Sequence, residues 1–412
     1  MKKTLFSFLA LCGIAALVWL AVFSWKNLRG IGPALKGPSS DIARLIERAQ
    51  AGTNAADMPL TLPPGFSISL FAKGLEKPRV MALDPDGTLL VSIPSQGKVV
   101  ALPDRDRDGT ADRIVTVVDG LDRPHGLAFR CAPECRLFIA EEDRVHVYSY
   151  DRKDLKAVKE RKIVDLPKGG FHVTRTLLFL PRPHDDKLLI SVGSSCNACI
   201  EKDRRRAAVL VVPAAGGSVA TFASGLRNAV FMTVHPGTRR VWVTEMGRDL
   251  LGDDLPPDEI NILEQGRDYG WPFCYGKNVH DNDFDPDRTH LCREPETVPS
   301  YVDIPAHSAP LGLAFFPREG WPEEFQNDLL VAYHGSWNRS VPTGYKIVRH
   351  RLDKEGRYLG KEDFITGWLA KDGTALGRPV DILVRTDGTI FVSDDKAGLI
   401  YRISRNRAPR NF

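Results

Sequence analysis

The sequence predicts an all-β fold, a six-bladed β-propeller behind a single N-terminal transmembrane helix and a short helical linker. Three observations carry this prediction: apolar segments of strand length broken by turn pairs, a recurrence of those segments six times, and an uncharged stretch from Thr4 to Trp25. The segments are rich in Val, Ile, Leu and Phe, and "PDG", "PG" and "TDG" punctuate them as tight turns do.

The recurrence decides the architecture. Units begin at "PRVMALDPDGTLLVSI" (78), "PHGLAFRCAPECRLFIA" (124), "TRTLLFLPRPHDDKLLISV" (174), "RNAVFMTVHPGTRRVWVTE" (227), "PLGLAFFPREGWPEEFQNDLLVAY" (310) and "PVDILVRTDGTIFVSDD" (379). Each reads strand, turn, strand, polar loop. Start-to-start intervals of 46, 50, 53, 83 and 69 residues fit blades of about 40 to 50 residues, with long insertions in the fourth and fifth. A ring must also close to protect its edges. "FSISLFA", ahead of the first unit, is placed to complete the last blade beside "GLIYRIS". An array of two sandwiches is the alternative architecture.

Before the propeller, residues 1–30 read as a membrane anchor or signal segment. Thr4 to Trp25 supplies 22 uncharged residues, and about 20 apolar residues cross a bilayer as a helix. A cleaved signal has an apolar core of about 7 to 15 residues and a small-residue cleavage site, and "AVFSWKNLRG" offers none that is clear. Basic residues flank both ends, Lys2 and Lys3 before and Lys26, Arg29 and Lys36 after, so charge alone does not orient the span. Residues 31–61 read as a linker holding one short amphipathic helix in "SSDIARLIERAQAG", and 62–412 as the propeller.

With 56 basic and 52 acidic residues and a net charge of +4, the chain lacks the footprint of a nucleic-acid binder. The densest basic run, "EKDRRRAA" at 201–208, is either a solvated loop or a docking patch for an acidic partner. Beyond Cys12 the cysteines fall into near neighbours: Cys131 with Cys135, Cys196 with Cys199, Cys274 with Cys292. That spacing suits local disulfides in an oxidising compartment such as the periplasm. The connectivity stays open, and a zinc site from the first four is the rival. "CNAC" is followed by Ile200 rather than His, against covalent haem.

Polar residues recur where the units begin: His125, His172, Arg227 with Asn228, His307, and Arg378. The inner strands of a propeller line one channel, so residues at one end of them converge although far apart in sequence. Each alone is equally well read as a hydrogen-bonded strand end. Together they mark a funnel.

Three further stretches, "SGLRNAVFM", "DEINILEQGRDYGWP" and "HGSWNRSVPTGYK", with the repeats, resemble the glucose/sorbosone dehydrogenase family over roughly residues 62 to 405, its sorbosone dehydrogenase-like branch in particular. These are six-bladed propellers that use pyrroloquinoline quinone (PQQ) and calcium. The resemblance implies that His172, in "HVTRTL", is a general base taking the proton of a sugar hydroxyl, and that Arg227 and Asn228 stand beside the quinone carbonyls. Arg378 in "GRPVDI" matches an arginine holding a cofactor carboxylate, and Arg339 loosely replaces a lysine near the cofactor. It further implies calcium ligands in the carbonyls of Gly247 and Arg248, and a second calcium site from the carboxylate of Glu259 and the carbonyl of Tyr269. Val380 stands where the glucose-oxidising branch has a second arginine, and "LLGDDLPP" is an insertion at the funnel entrance. The expected function is thus oxidation of an aldose or related sugar, with electrons passed to a quinone or cytochrome from a periplasmic enzyme anchored in the inner membrane. The alternatives are a propeller that only binds sugar or protein, and a calcium-dependent lactonase-type hydrolase. Separately, "DRDRDGTAD" aligns Asp104, Asp106, Asp108 and Asp112 as in a calcium loop without its closing acid.

Overall fold

The computed structural model describes residues 2–35 and 59–406. The short helix expected within Ser39–Gly52 lies outside the described residues, as do residues 407–412. An apolar helix, Lys2–Asn27, comes first, and its stretch Phe8–Asn27 is long and apolar enough to cross a membrane.

Six antiparallel sheets follow. Blade one is built from Met81–Leu83, Leu89–Ile93, Lys98–Leu102 and Val115–Val118, and blade two from Leu127–Cys131, Cys135–Ala140, Arg144–Asp151 and Lys156–Asp165. Blade three holds Leu177–Phe179, Lys187–Val192, Ala208–Pro213 and Ala220–Ser224, while blade four holds Ala229–Val234, Val241–Glu245, Asp258–Leu263 and Val302–Ile304. Pro310–Phe315, Leu329–Tyr333, Lys346–Leu352 and Tyr358–Ile365 form blade five. Blade six takes Pro379–Val384, Thr389–Asp394 and Leu399–Arg405, and its outermost strand is Phe66–Ala72, running antiparallel to Leu399–Arg405. The ring is therefore closed by "FSISLFA", as the sequence predicts, and the sandwich alternative falls.

Position in the blade sets the pattern along each strand. Second strands such as Leu89–Ile93, Leu329–Tyr333 and Thr389–Asp394 are buried along their whole length, because both faces of the sheet are covered by neighbouring blades. The outer strand Lys156–Asp165 is mostly exposed, which is why its sequence is charged. Between blades five and six, for example, Leu330 and Ile347 pack with Ile390 and Tyr401 in one cluster. Inner strands of all six blades line a central cavity of about 340 Å³, through Met81, Leu127, Leu177, Phe231, Leu313 and Ile382 among others.

The long interval after Arg227 is explained by an excursion from blade four. It carries the hairpin Cys274–Tyr275 with Val279–His280, and lends Arg267–Asp268 to the edge of blade three as a parallel fifth strand. All three near-neighbour cysteine pairs are disulfides, Cys131–Cys135, Cys196–Cys199 and Cys274–Cys292, which removes the zinc reading of the first four.

Candidate active site

At one end of the central channel the residues preceding the inner strands meet. His172 lies in the loop before blade three, where the chain leaves the barrel wall. Its Nδ1 is 3.0 Å from the Ser194 carbonyl and 2.9 Å from Ser194 Oγ. Because a carbonyl only accepts, Nδ1 carries the proton and Nε2 keeps its lone pair. Ser194 Oγ in turn donates to the Cys196 carbonyl at 2.6 Å. Burial first, and the charge of Arg227 second, push the His172 imidazole down to about 3, so it is neutral at pH 7.

Arg175 answers for the position of that loop. Fully buried, it donates to the carbonyls of His172 (2.9 Å), Thr174 (2.7 Å) and Pro167 (2.8 Å). An arginine three residues behind the imidazole thus clamps the chain on which the imidazole rides.

Blade four brings Arg227 and Asn228 to the same place. Gly193 sits between them and His172: a Cβ there would lie 2.5 Å from His172 Cβ and 2.7 Å from Asn228 Oδ1. Only glycine permits that approach. Asn228 donates its backbone N–H to Glu245 Oε1 at 3.0 Å. The Arg227 guanidinium is held on every side, by the Asn197 carbonyl and Asn197 Oδ1 (both 2.9 Å), the Gly247 carbonyl (2.9 Å) and Asp249 Oδ2 (2.8 Å). Asn197 lies inside the Cys196–Cys199 loop and also accepts from the Asp249 N–H at 2.8 Å. Asn338 reaches Asp249 Oδ1 from blade five at 3.1 Å.

From blade six Arg378 donates to the carbonyls of His334 (3.1 Å) and Gly335 (2.6 Å) and lies over the Tyr345 ring. Beside it Asp395 takes Arg79 at 2.7 Å and His334 at 2.9 Å. His334 is driven down to about 4, by burial and then by Arg378. His125 is 1% exposed, with Nδ1 toward the Arg175 carbonyl at 3.3 Å. It underlies the funnel and does not face it. His307 Nε2 donates to the Gly252 carbonyl at 2.7 Å, fixing the insertion instead of lining the floor. Arg339 is likewise directed away, to the carbonyl of Asp253 and to Asp254 Oδ1 (2.8 Å).

Beneath Arg227 lies a cavity of about 20 Å³, lined in part by Glu245, Gly247, Glu259 and Tyr269, room for one water or one ion. Glu259 accepts from the Gly276 N–H at 2.6 Å and from Asn261 Nδ2 at 2.8 Å. Glu245 Oε2 is buried with no partner. Burial raises both carboxyls, Glu259 to about 7 and Glu245 well above its usual range, the second further by the charge of the first. Glu245 Oε2, with Glu259 on the same cavity, offers oxygens of the kind a hard cation takes. Gly247 and Arg248 are arranged differently. The Gly247 carbonyl already takes Arg227, its N–H donates to Asp258 Oδ1 at 2.9 Å, and the Arg248 side chain is paired with Asp281 at 2.8 Å.

Sequence reasoning gave no role to Arg175, Asn197, Asp249, Glu245 or Asn338. The signal lay in the quoted stretches themselves, since Arg175, Asn197, Glu245 and Asn338 stand inside them and Asp249 directly follows Arg248.

A closed six-bladed ring with an imidazole, arginines and an amide gathered at one mouth defines the class: a six-bladed β-propeller with a polar funnel at one end of its channel. The TrAA12-like family matches residues 60–406, and the chain belongs to it. A PQQ-dependent pyranose dehydrogenase of Coprinopsis cinerea is 25% identical over 84% of this chain, which spans only 54% of that protein. An uncharacterized protein of Borreliella burgdorferi is 30% identical over 84% of this chain and 90% of its own length. Among solved structures, a Trichoderma reesei enzyme of carbohydrate-active family AA12 superposes with a TM-score of 0.72, at 23% identity over 84% of this chain and 98% of that one. The PQQ domain of the Coprinopsis cinerea pyranose dehydrogenase, in its holo form, gives 0.70 at 23% identity, over 84% and 97%.

Proposed function

We propose that this protein is a PQQ-dependent oxidoreductase of an aldose or related sugar, held on the periplasmic side of the inner membrane by its N-terminal helix and passing electrons to a quinone or cytochrome. One observation carries the reading: a neutral histidine whose Nε2 lone pair is left open stands beside Arg227 and Asn228, with Arg378 at the same funnel. Burial first, and the neighbouring arginines second, keep His172 and His334 neutral, Arg227 beside the one and Arg378 beside the other. A compact polyacid such as PQQ suits arginines at this mouth, with Arg378 and Asn228 as the residues that would hold it and Arg227 as a fixed charge behind them. When bound, PQQ supplies the two-electron hydride acceptor.

The chain's own part is binding and proton handling. His172 takes the proton of the reacting hydroxyl at Nε2, while Ser194 keeps the ring in the required tautomer. Arg227, its N–H groups already taken by Asn197, Met246, Gly247 and Asp249, contributes a fixed charge, and Asn228 an amide, toward oxygens on which charge grows. Bringing an anion beside Arg227 also offsets the charge that depresses His172, raising its basicity when the site is loaded. The Glu245–Glu259 cavity suits a structural calcium ion under Arg227. At the cofactor calcium site expected from the Gly247 and Arg248 carbonyls, the Gly247 oxygen is taken by Arg227, so a calcium there would have to displace that contact.

The test is a titration of the full-length protein with PQQ and calcium, followed by the quinone absorbance, then an aldose panel with a dye acceptor. Cofactor binding with sugar-dependent dye reduction is expected. Sugar binding without any quinone uptake would instead indicate a binding propeller that has kept the scaffold.

A further inference from the structure

The segment after the apolar helix does not leave the propeller; it lies across the funnel rim. Three residues past Asn27, Gly30 is buried so closely against blade five that a Cβ would lie 1.5 Å from the Arg339 carbonyl oxygen. Arg29 stands 3.6 Å from Asp253 in the blade-four insertion, and Lys396 donates to the Pro33 carbonyl at 3.3 Å. These contacts all fall at the mouth of the candidate site. Arg339 follows Asn338, which reaches Asp249 beside Arg227, and Lys396 follows Asp395, the partner of Arg79 and His334. Three residues span at most about 11 Å, so the rim is held at the end of the helix.

The same rim is apolar. Phe171 is 71% exposed, Val341 70%, Ile200 62%, Leu255 48%, Leu250 38% and Trp337 37%. They stand on four loops around the mouth: beside His172, after Cys199, in the insertion, and flanking Asn338. Exposed Lys202 and Arg204 lie among them, on the loop whose Arg206 carries charge toward His172. The acids of the rim are paired, Asp253 with Arg29 and Ser340, Asp254 with Arg339. Large exposed apolar side chains gathered around one mouth mark an interaction surface. With basic residues beside them, they match the headgroup layer of an anionic bilayer.

We propose that the funnel face of the propeller rests on the anionic phospholipid surface of the bilayer that holds the N-terminal helix, with the six apolar rim residues in the headgroup layer and Lys202 and Arg204 over lipid phosphates. This rests on the reading of the helix as an anchor. A substrate then enters from the side, between rim and lipid, and the site opens toward the membrane.

The full chain in nanodiscs of phosphatidylcholine and phosphatidylglycerol, with or without a brominated phosphatidylcholine, tests the proposal by tryptophan fluorescence. The difference between wild type and Trp337→Phe isolates Trp337, and the variant's own quenching reports Trp19 and Trp25 in the helix. The expected result is a loss of about two-fold or more in the Trp337 component in brominated lipid. Ile200→Glu with Val341→Glu, both at exposed positions, should abolish most of that loss and leave the helix tryptophans quenched. An unquenched Trp337 beside quenched Trp19 and Trp25 overturns the proposal and leaves the anchor standing, as does quenching indifferent to the double variant. Unquenched Trp19 and Trp25 overturn the anchor and the proposal with it.

Discussion

At the scale of single residues, the chemistry turns on one tautomer. Ser194 fixes the His172 proton on Nδ1, so His172→Ala should still take up PQQ, read by absorbance, yet reduce it about 10²- to 10⁴-fold more slowly, the usual worth of a positioned base. Arg175 acts through the loop it clamps. Arg175→Lys keeps a charge but loses the three-carbonyl fork, and a lower kcat with unchanged quinone affinity is expected. Glu259 works below the site. If its cavity takes calcium, excess calcium raises the melting temperature of the wild type by about 2–4 °C for each kcal/mol of linkage, and Glu259→Gln loses that rise. A calcium response intact in Glu259→Gln would place the ion elsewhere.

At the scale of elements, the four-residue Cys196–Cys199 loop does more for geometry than for stability. A disulfide closing so short a loop contributes about 2 kcal/mol in the chain-entropy account. Its captive Asn197, however, makes hydrogen bonds to both Arg227 and Asp249. Replacing both cysteines by serine should therefore leave a folded protein whose kcat falls about tenfold or more, since loosening a positioning group by a fraction of an ångström is costly in rate. Reduction of the wild type by a mild thiol is expected to reproduce the loss. The insertion "LLGDDLPP" is likewise built into the site. Asp249 just before it, with Gly252, Asp253 and Asp254 within it, ties it to Arg227, His307, Ser340 and Arg339, making it a wall of the mouth.

At the scale of the whole molecule, the ring is closed by a strand far from its partners in sequence. Leu70, 1% exposed in that strand, belongs to the core shared by blades five and six, and Leu70→Ala should cost about 2–5 kcal/mol, measured by denaturant unfolding. Acid acts through buried imidazoles. His350, with Tyr333 Oη 3.1 Å from its Nε2, is held down to about 3 by burial. In the unfolded chain it titrates near 6.5. Its folded pKa being the lower, the unfolded state binds the extra proton between those values, so stability is full above about 6.5 and declines as pH falls toward 3, by about 1.4 kcal/mol per pH unit. His350→Gln should flatten the acid limb of the unfolding curve by that slope. An unchanged acid limb would show that His350 does not drive it.

The chain by itself determined the repeat, and with it the blades and the closing strand, and the apolar helix; it left the cysteine connectivity open, which the structure settles as three disulfides. The blades and the helix rest on neighbours in sequence or on a period that a reader can count, and the closing strand on the need of a ring to protect its edges. It also gathered His125, His172, Arg227, Asn228, His307 and Arg378 at one mouth, because equivalent positions in a ring converge, but it could not tell that His125 lies buried beneath and that His307 turns to the Gly252 carbonyl. Only the tertiary structure decided which of the arginines face that mouth, that Arg339 turns to the insertion, that Asp249 and Asn197 hold Arg227, and that Glu245 joins Glu259. It alone laid residues 27–35 across the rim. The physical reason is that side-chain partners from different blades are fixed by packing and charge balance across the axis, and those are summed over loops whose sequences have no period to read.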